Sequence, residues 1–165
     1  MFNTVNDFLS DWKYESDATL KVIKNLTDES LNQKVTAEGR SLGFITWHIT
    51  TSISEMLSKT GLPLKDISES PAPKNVKAIY DEYENSSSEV SNLISKQWTD
   101  EMLQDEVNMY GQNWKRAKVL GSLVAHQAHH RGQMTVLMRQ AGLKVPGIYG
   151  PAKEEWAQFG MPAQE

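Results

Sequence analysis

The chain is expected to fold as an all-α protein, a bundle of four long helices, and three features of the sequence carry that expectation. Four long segments place apolar residues at helical spacing. The stretches between them are rich in Gly, Pro, Ser and Asn, which end helices. At 165 residues the chain has the size of one domain with a sizeable core, and no shift of composition marks a second, so residues 1–165 are read as one unit.

The first helix is expected from about Val5 to Lys24, with Val5, Phe8, Leu9, Trp12, Leu20 and Ile23 as its apolar positions. Leu26 to Thr36 is polar, with one helical turn begun by Asp28. Ser41, whose hydroxyl can accept from a free amide of the first turn, opens a second helix that continues to about Thr60 and stops at Gly61-Leu62-Pro63. A Pro- and Ser-rich connection, Asp66 to Pro73, leads to Asn75, the cap of a third helix reaching Gln97. Its triple serine, Ser86 to Ser88, is poor helix-forming material and is expected to face solvent.

Helical spacing fails between Thr99 and Trp114, where Tyr110-Gly111-Gln112-Asn113 reads as a turn between two short extended pieces. The fourth helix is expected from about Lys115 to Gln140, with Gly142 closing it. Val145-Pro146-Gly147-Ile148-Tyr149-Gly150-Pro151 suits neither helix nor central strand. Its apolar residues predict an ordered tail, and Pro151 is placed to open a last short helix bearing Trp156 and Phe159.

A net charge of -4 and a pI near 5.6 oppose nucleic-acid binding, which needs a basic surface. The small cluster Lys115, Arg116 and Lys118 is read as a solvated first turn. The N-terminus lacks the basic start and apolar run of a signal peptide, and no apolar stretch is long enough for a membrane span, so a cytoplasmic protein without membrane partners is expected. There is no cysteine. A disulfide framework, a thiolate zinc site and a cysteine nucleophile are thereby excluded, and any thiol chemistry must use a thiol from outside.

Three of the four histidines, His126, His129 and His130, fall within five residues. On a helical wheel with His126 at zero, His130 lies at about 40° and His129 at about 300°. Val119, Leu123, Met134, Leu137 and Ala141 fall between about 20° and 80°, so His126 and His130 share the apolar face and His129 leaves it. A single histidine on an apolar face is ordinarily a core residue with its nitrogens satisfied. Two imidazoles one turn apart on such a face need several buried partners, and a metal ion supplies them at once. His48, mid-helix in the second segment on the face of Ile45 and Met56, is the third candidate ligand. Three neutral imidazoles leave coordination positions open, the pattern of a catalytic site, and suit zinc or nickel. The spacing His126-x-x-x-His130 is that of a zinc-protease helix, but Gln127 stands where the general base would be. Glu55, on the His48 face with Ser52, is a candidate water-activating base or, more plainly, a boundary charge. Trp47 and Trp114 are candidate pocket walls.

The run His126-Gln127-Ala128-His129-His130-Arg131-Gly132-Gln133, followed by Leu137-Met138-Arg139-Gln140-Ala141-Gly142 and by residues 145–151, resembles the C-terminal half of DinB-like proteins. Trp47-His48 looks like that family's first ligand position. The resemblance implies an up-down-down-up four-helix bundle, a divalent metal on His48, His126 and His130, and a homodimer. Relatives in that family include bacillithiol S-transferases and mycothiol-dependent maleylpyruvate isomerases. It therefore implies a metal-dependent transferase acting on a small-molecule substrate with an external low-molecular-weight thiol. A metal-dependent hydrolase and a non-enzymatic dimer stabilised by metal are the alternatives.

Overall fold

Residues 2–69 and 71–163 are described by a computed structural model of the protein. Its long elements are α1 (Val5–Ile23), α2 (Leu42–Leu57), α3 (Val76–Gln97) and α4 (Arg116–Gln140). Each start has a local cause. Thr4 caps α1 reciprocally with Asp7: the Asp7 amide donates to the Thr4 hydroxyl at 3.0 Å and the Thr4 amide to the Asp7 carboxylate at 3.1 Å. Ser41 accepts from the Phe44 amide at 3.1 Å, and Asn75 from that of Ala78 at 2.8 Å. At the end of α4, Leu143 donates to the carbonyl of Met138 and Gly142 to that of Arg139, a closure that puts Gly142 at φ 72° where a side chain would be strained.

α1 packs on α3 and α4, and α2 packs on the same two helices. The Val5 amide, opening α1, bonds Asp100 just beyond α3, and the Val76 amide, opening α3, bonds Asp28 just beyond α1. Those two helices therefore run antiparallel. α2 opposes α4 likewise: Ile45 near its start shares a groove with Leu137, and Glu55 near its end bonds Tyr110 ahead of α4. These pairings are consistent with a four-helix bundle. Phe8, Trp12, Ile49, Ile53, Ile79, Tyr83, Val90, Ile94, Leu120 and Leu123 fill the interior with no exposed surface.

Some details depart from the expectations. Ser86 and Ser87 are buried and only Ser88 faces solvent, because the small side chains let α1 approach closely and the Trp12 indole donate to the Ser87 carbonyl at 3.0 Å. α2 ends at Leu57, three residues before Thr60; residues 58–60 tighten into a 3-10 turn that Gly61, at φ 88°, terminates. A further 3-10 turn, Glu29–Asn32, begins after Asp28, and α2 starts close against it: a Cβ on Gly43 would lie 3.0 Å from Leu31.

The two extended pieces are β1 (Glu106–Met109) and β2 (Gln112–Lys115), an antiparallel hairpin turned by Tyr110 and Gly111, both at positive φ. The tail is ordered. Val145 and Pro146 are buried, and Lys153–Phe159 forms a 3-10 helix bearing Trp156 and Phe159. Tyr149 reaches Glu15 of α1, and Lys21 donates to the Gly147 carbonyl at 2.8 Å. No helix of the described residues is long and apolar enough to cross a membrane.

Candidate metal centre

α2 and α4 lie against each other, so His48 meets His126 and His130 across the bundle. His48 Nε2 and His130 Nε2 each stand 3.2 Å from His126 Nε2, and the three ligand nitrogens lie within 4.8 Å of one another. The nitrogens on the far side of the rings fix which atoms face inward. His48 Nδ1 meets the carboxylate of Glu69, and His130 Nδ1 meets the amide oxygen of Gln133 at 2.7 Å. Both partners accept hydrogen bonds, so each Nδ1 carries a proton, and in the neutral ring Nε2 is the nitrogen left to present a lone pair. His126 Nδ1 is buried with no partner among the described residues.

Facing lone pairs at this separation repel one another unless a proton on His126 Nε2 bridges them or a cation lies between them. Two nitrogens bonded to one tetrahedral ion at about 2.0–2.1 Å sit roughly 3.3 Å apart, close to the two 3.2 Å separations from His126 Nε2. Protonation favours the same conclusion. Burial, followed by the neighbouring His130, His48 and His129, pushes His126 down to about 4, and burial also lowers His130. Both rings are held in the neutral form a metal needs. The described residues therefore fit a divalent ion.

His129 is exposed and stands outside the three-ligand group, as the wheel predicts, although its ring meets that of His130 edge-on with centroids 4.9 Å apart. It still has a link to the site, since Gln133, which holds His130, approaches His129 Nε2 with its amide nitrogen at 3.1 Å. Sequence reasoning missed both Gln133 and Glu69. Gln133 was findable, being one turn beyond His130. Glu69 was not, because it reaches His48 from an aperiodic connection.

His48 and His126 line one side of a cleft of about 760 Å³, with His130 buried behind them. Ser52, Glu55, Met56, Lys59, Asp66, Ile67, Tyr110 and Trp114 are among its walls. Glu55 is exposed, seven residues and hence about 10 Å along the helix from His48. Its carboxylate accepts from the Tyr110 hydroxyl at 2.9 Å and pairs with Lys59 at 3.3 Å. Burial and this carboxylate raise Tyr110 to about 12, so the phenol stays protonated. Of the two tryptophans, Trp114 lines the cleft. Trp47 does not: it is buried, and its indole donates at 3.0 Å to the Ser68 carbonyl beside Glu69.

The DinB family model matches residues 1–165, the whole chain. The chain belongs to the DinB family. It is 48% identical over 164 residues to the Bacillus subtilis (strain 168) "Uncharacterized protein YrdA", an alignment that covers 99% of this chain and 98% of that one. Among solved structures it resembles a DinB-like protein from Bacillus cereus ATCC 10987, with a TM-score of 0.88 and 41% identity over 90% of this chain and all of the other. A second DinB-like protein, YjoA from Bacillus subtilis, shares the fold at a TM-score of 0.70 and 16% identity, covering 88% of this chain and 99% of that one.

Proposed function

We propose that this DinB-family protein is a divalent-metal-dependent transferase that joins an external low-molecular-weight thiol to a small electrophile. The supporting observation is the three-histidine cluster at the edge of a cleft rather than sealed in the core. When bound, a divalent ion would lower the pKa of a thiol at an open position and supply it as a thiolate. His48, His126 and His130 would hold the ion through Nε2, with Glu69 and Gln133 fixing two of the rings from behind. The chain has no sulfur nucleophile of its own, so the thiol must enter as a substrate. Met56, Ile67 and Trp114 give the cleft apolar surface for the partner compound.

The discriminating experiment compares metal-loaded, metal-stripped and His130→Ala protein on a general electrophile, with and without biological thiols. Turnover that requires metal and thiol together is expected. Turnover of esters or amides with metal and water alone would instead favour the hydrolase, with Glu55 as its candidate base. The family resemblance also carries the proposal of a homodimer, for which light scattering should give about twice 18.6 kDa.

A further inference from the structure

Trp47 and His48 are consecutive residues of α2, and they hold two consecutive residues of the connection between α2 and α3. The Trp47 indole donates to the Ser68 carbonyl at 3.0 Å, and His48 Nδ1 meets the Glu69 carboxylate. The stretch so held is a wall of the cleft, which Asp66, Ile67 and Glu69 line together with His48 and His126. Residues 62–69 belong to no helix or strand, and the Lys65–Glu82 ion pair, at 3.6 Å with the lysine exposed, is worth little. The two anchors differ in kind. Trp47 is buried, and its hydrogen bond does not involve a ligand group. His48 would carry an ion on Nε2 while it carries the connection on Nδ1 of the same ring. A ring bonded to a cation through Nε2 is a stronger donor at Nδ1, and a carboxylate on Nδ1 makes Nε2 a better ligand. By linkage the two effects are equal: whatever the ion adds to the hold on Glu69, Glu69 adds to the hold on the ion.

We propose that residues 66–69 form a metal-responsive wall of the cleft, held onto α2 when the three histidines are loaded and released more often when they are not, with Glu69 as the positioning residue that couples the two. This rests on the metal site and not on the thiol chemistry, which turnover tests separately.

Lys65 is exposed beside this stretch, and trypsin can cut there only when the connection comes away from α2. Lys144, exposed beyond α4, serves as a reference site in the same digest. Full-length protein, either stripped or saturated with zinc, is digested briefly and the products ending at residues 65 and 144 are followed by mass. Zinc is expected to slow cleavage at Lys65, relative to Lys144, about five- to tenfold. In Glu69→Ala, altered at an exposed position, the zinc effect should vanish, and zinc should bind about tenfold more weakly against a competing chelator. Trp47→Phe, which removes the other anchor, should be cut faster at Lys65 in both states and keep the zinc effect. A zinc effect of the same size in Glu69→Ala, or none in unaltered protein that holds one zinc per chain, overturns the metal-responsive wall while leaving the metal site standing. Unaltered protein that holds no zinc overturns both.

Discussion

Gln127 occupies the position of a zinc-protease glutamate, yet it faces the core. Its side chain is fully buried, accepts from the Tyr83 hydroxyl at 3.0 Å and donates to the Ile49 carbonyl at 2.7 Å, so it joins α4 to α3 and α2 beneath the histidines. Gln127→Leu should strand both partners and cost about 1–3 kcal/mol, read by urea unfolding, with the metal stoichiometry unchanged. A stable variant without metal would instead put Gln127 in the ligand shell. Next to His130, Arg131 is buried against Glu15, Thr19 and Tyr149. Arg131→Met would leave the Glu15 carboxylate buried without its cation, and a loss of about 3–5 kcal/mol is expected. His129→Ala removes the outer hold on Gln133 and an edge-on ring contact with His130, but no ligand nitrogen. Elemental analysis should still find a full complement of metal, and loss equal to that in His126→Ala would place His129 among the ligands.

At the scale of elements, the α2–α4 contact gathers the neutral imidazoles, and it makes the metal-free protein sensitive to acid. His126 titrates near 4 in the fold against an ordinary 6.5. Between those values the unfolded chain binds the extra proton, so this contribution is intact above about pH 6.5 and is lost as pH falls towards 4. Metal-stripped protein should melt progressively lower across that window, and His126→Leu should show a shallower decline; identical slopes would contradict the pKa assignment. The helices themselves were legible because Ser41 and Asn75 mark their starts and apolar spacing marks their faces. α4 was legible only in part. Its buried arc extends through Gln127 and Arg131, at about 100° and 140° on the wheel, and a pattern search that seeks apolar residues passes over polar side chains satisfied by other helices. The same limit applies to the serines: burial of Ser86 and Ser87 depends on the partner helix, which local propensity does not describe. Glu69 needed the tertiary structure, since only the path of the connection brings it to His48.

At the scale of the whole molecule, the bundle leaves three buried side-chain nitrogens without a partner among the described residues, Arg116 Nε, His126 Nδ1 and Arg131 Nε, and only the second belongs to the histidine cluster. An ion held by the three gathered imidazoles would bind the folded chain in preference to the unfolded one, so metal binding should stabilise the fold. At free metal a hundred times the dissociation constant the gain is about 2.7 kcal/mol, which should raise the melting temperature by roughly 5–10 °C. Unchanged melting on metal addition would deny that link. The metal site itself is tested most directly by loading the stripped protein with zinc or nickel, dialysing, and measuring bound metal together with X-ray absorption at the metal edge. One ion per chain with three imidazole nitrogens at about 2.0–2.1 Å is expected, lost in His48→Ala, His126→Ala and His130→Ala. No retained metal in the unaltered protein, or an ion that all three variants keep, would contradict it.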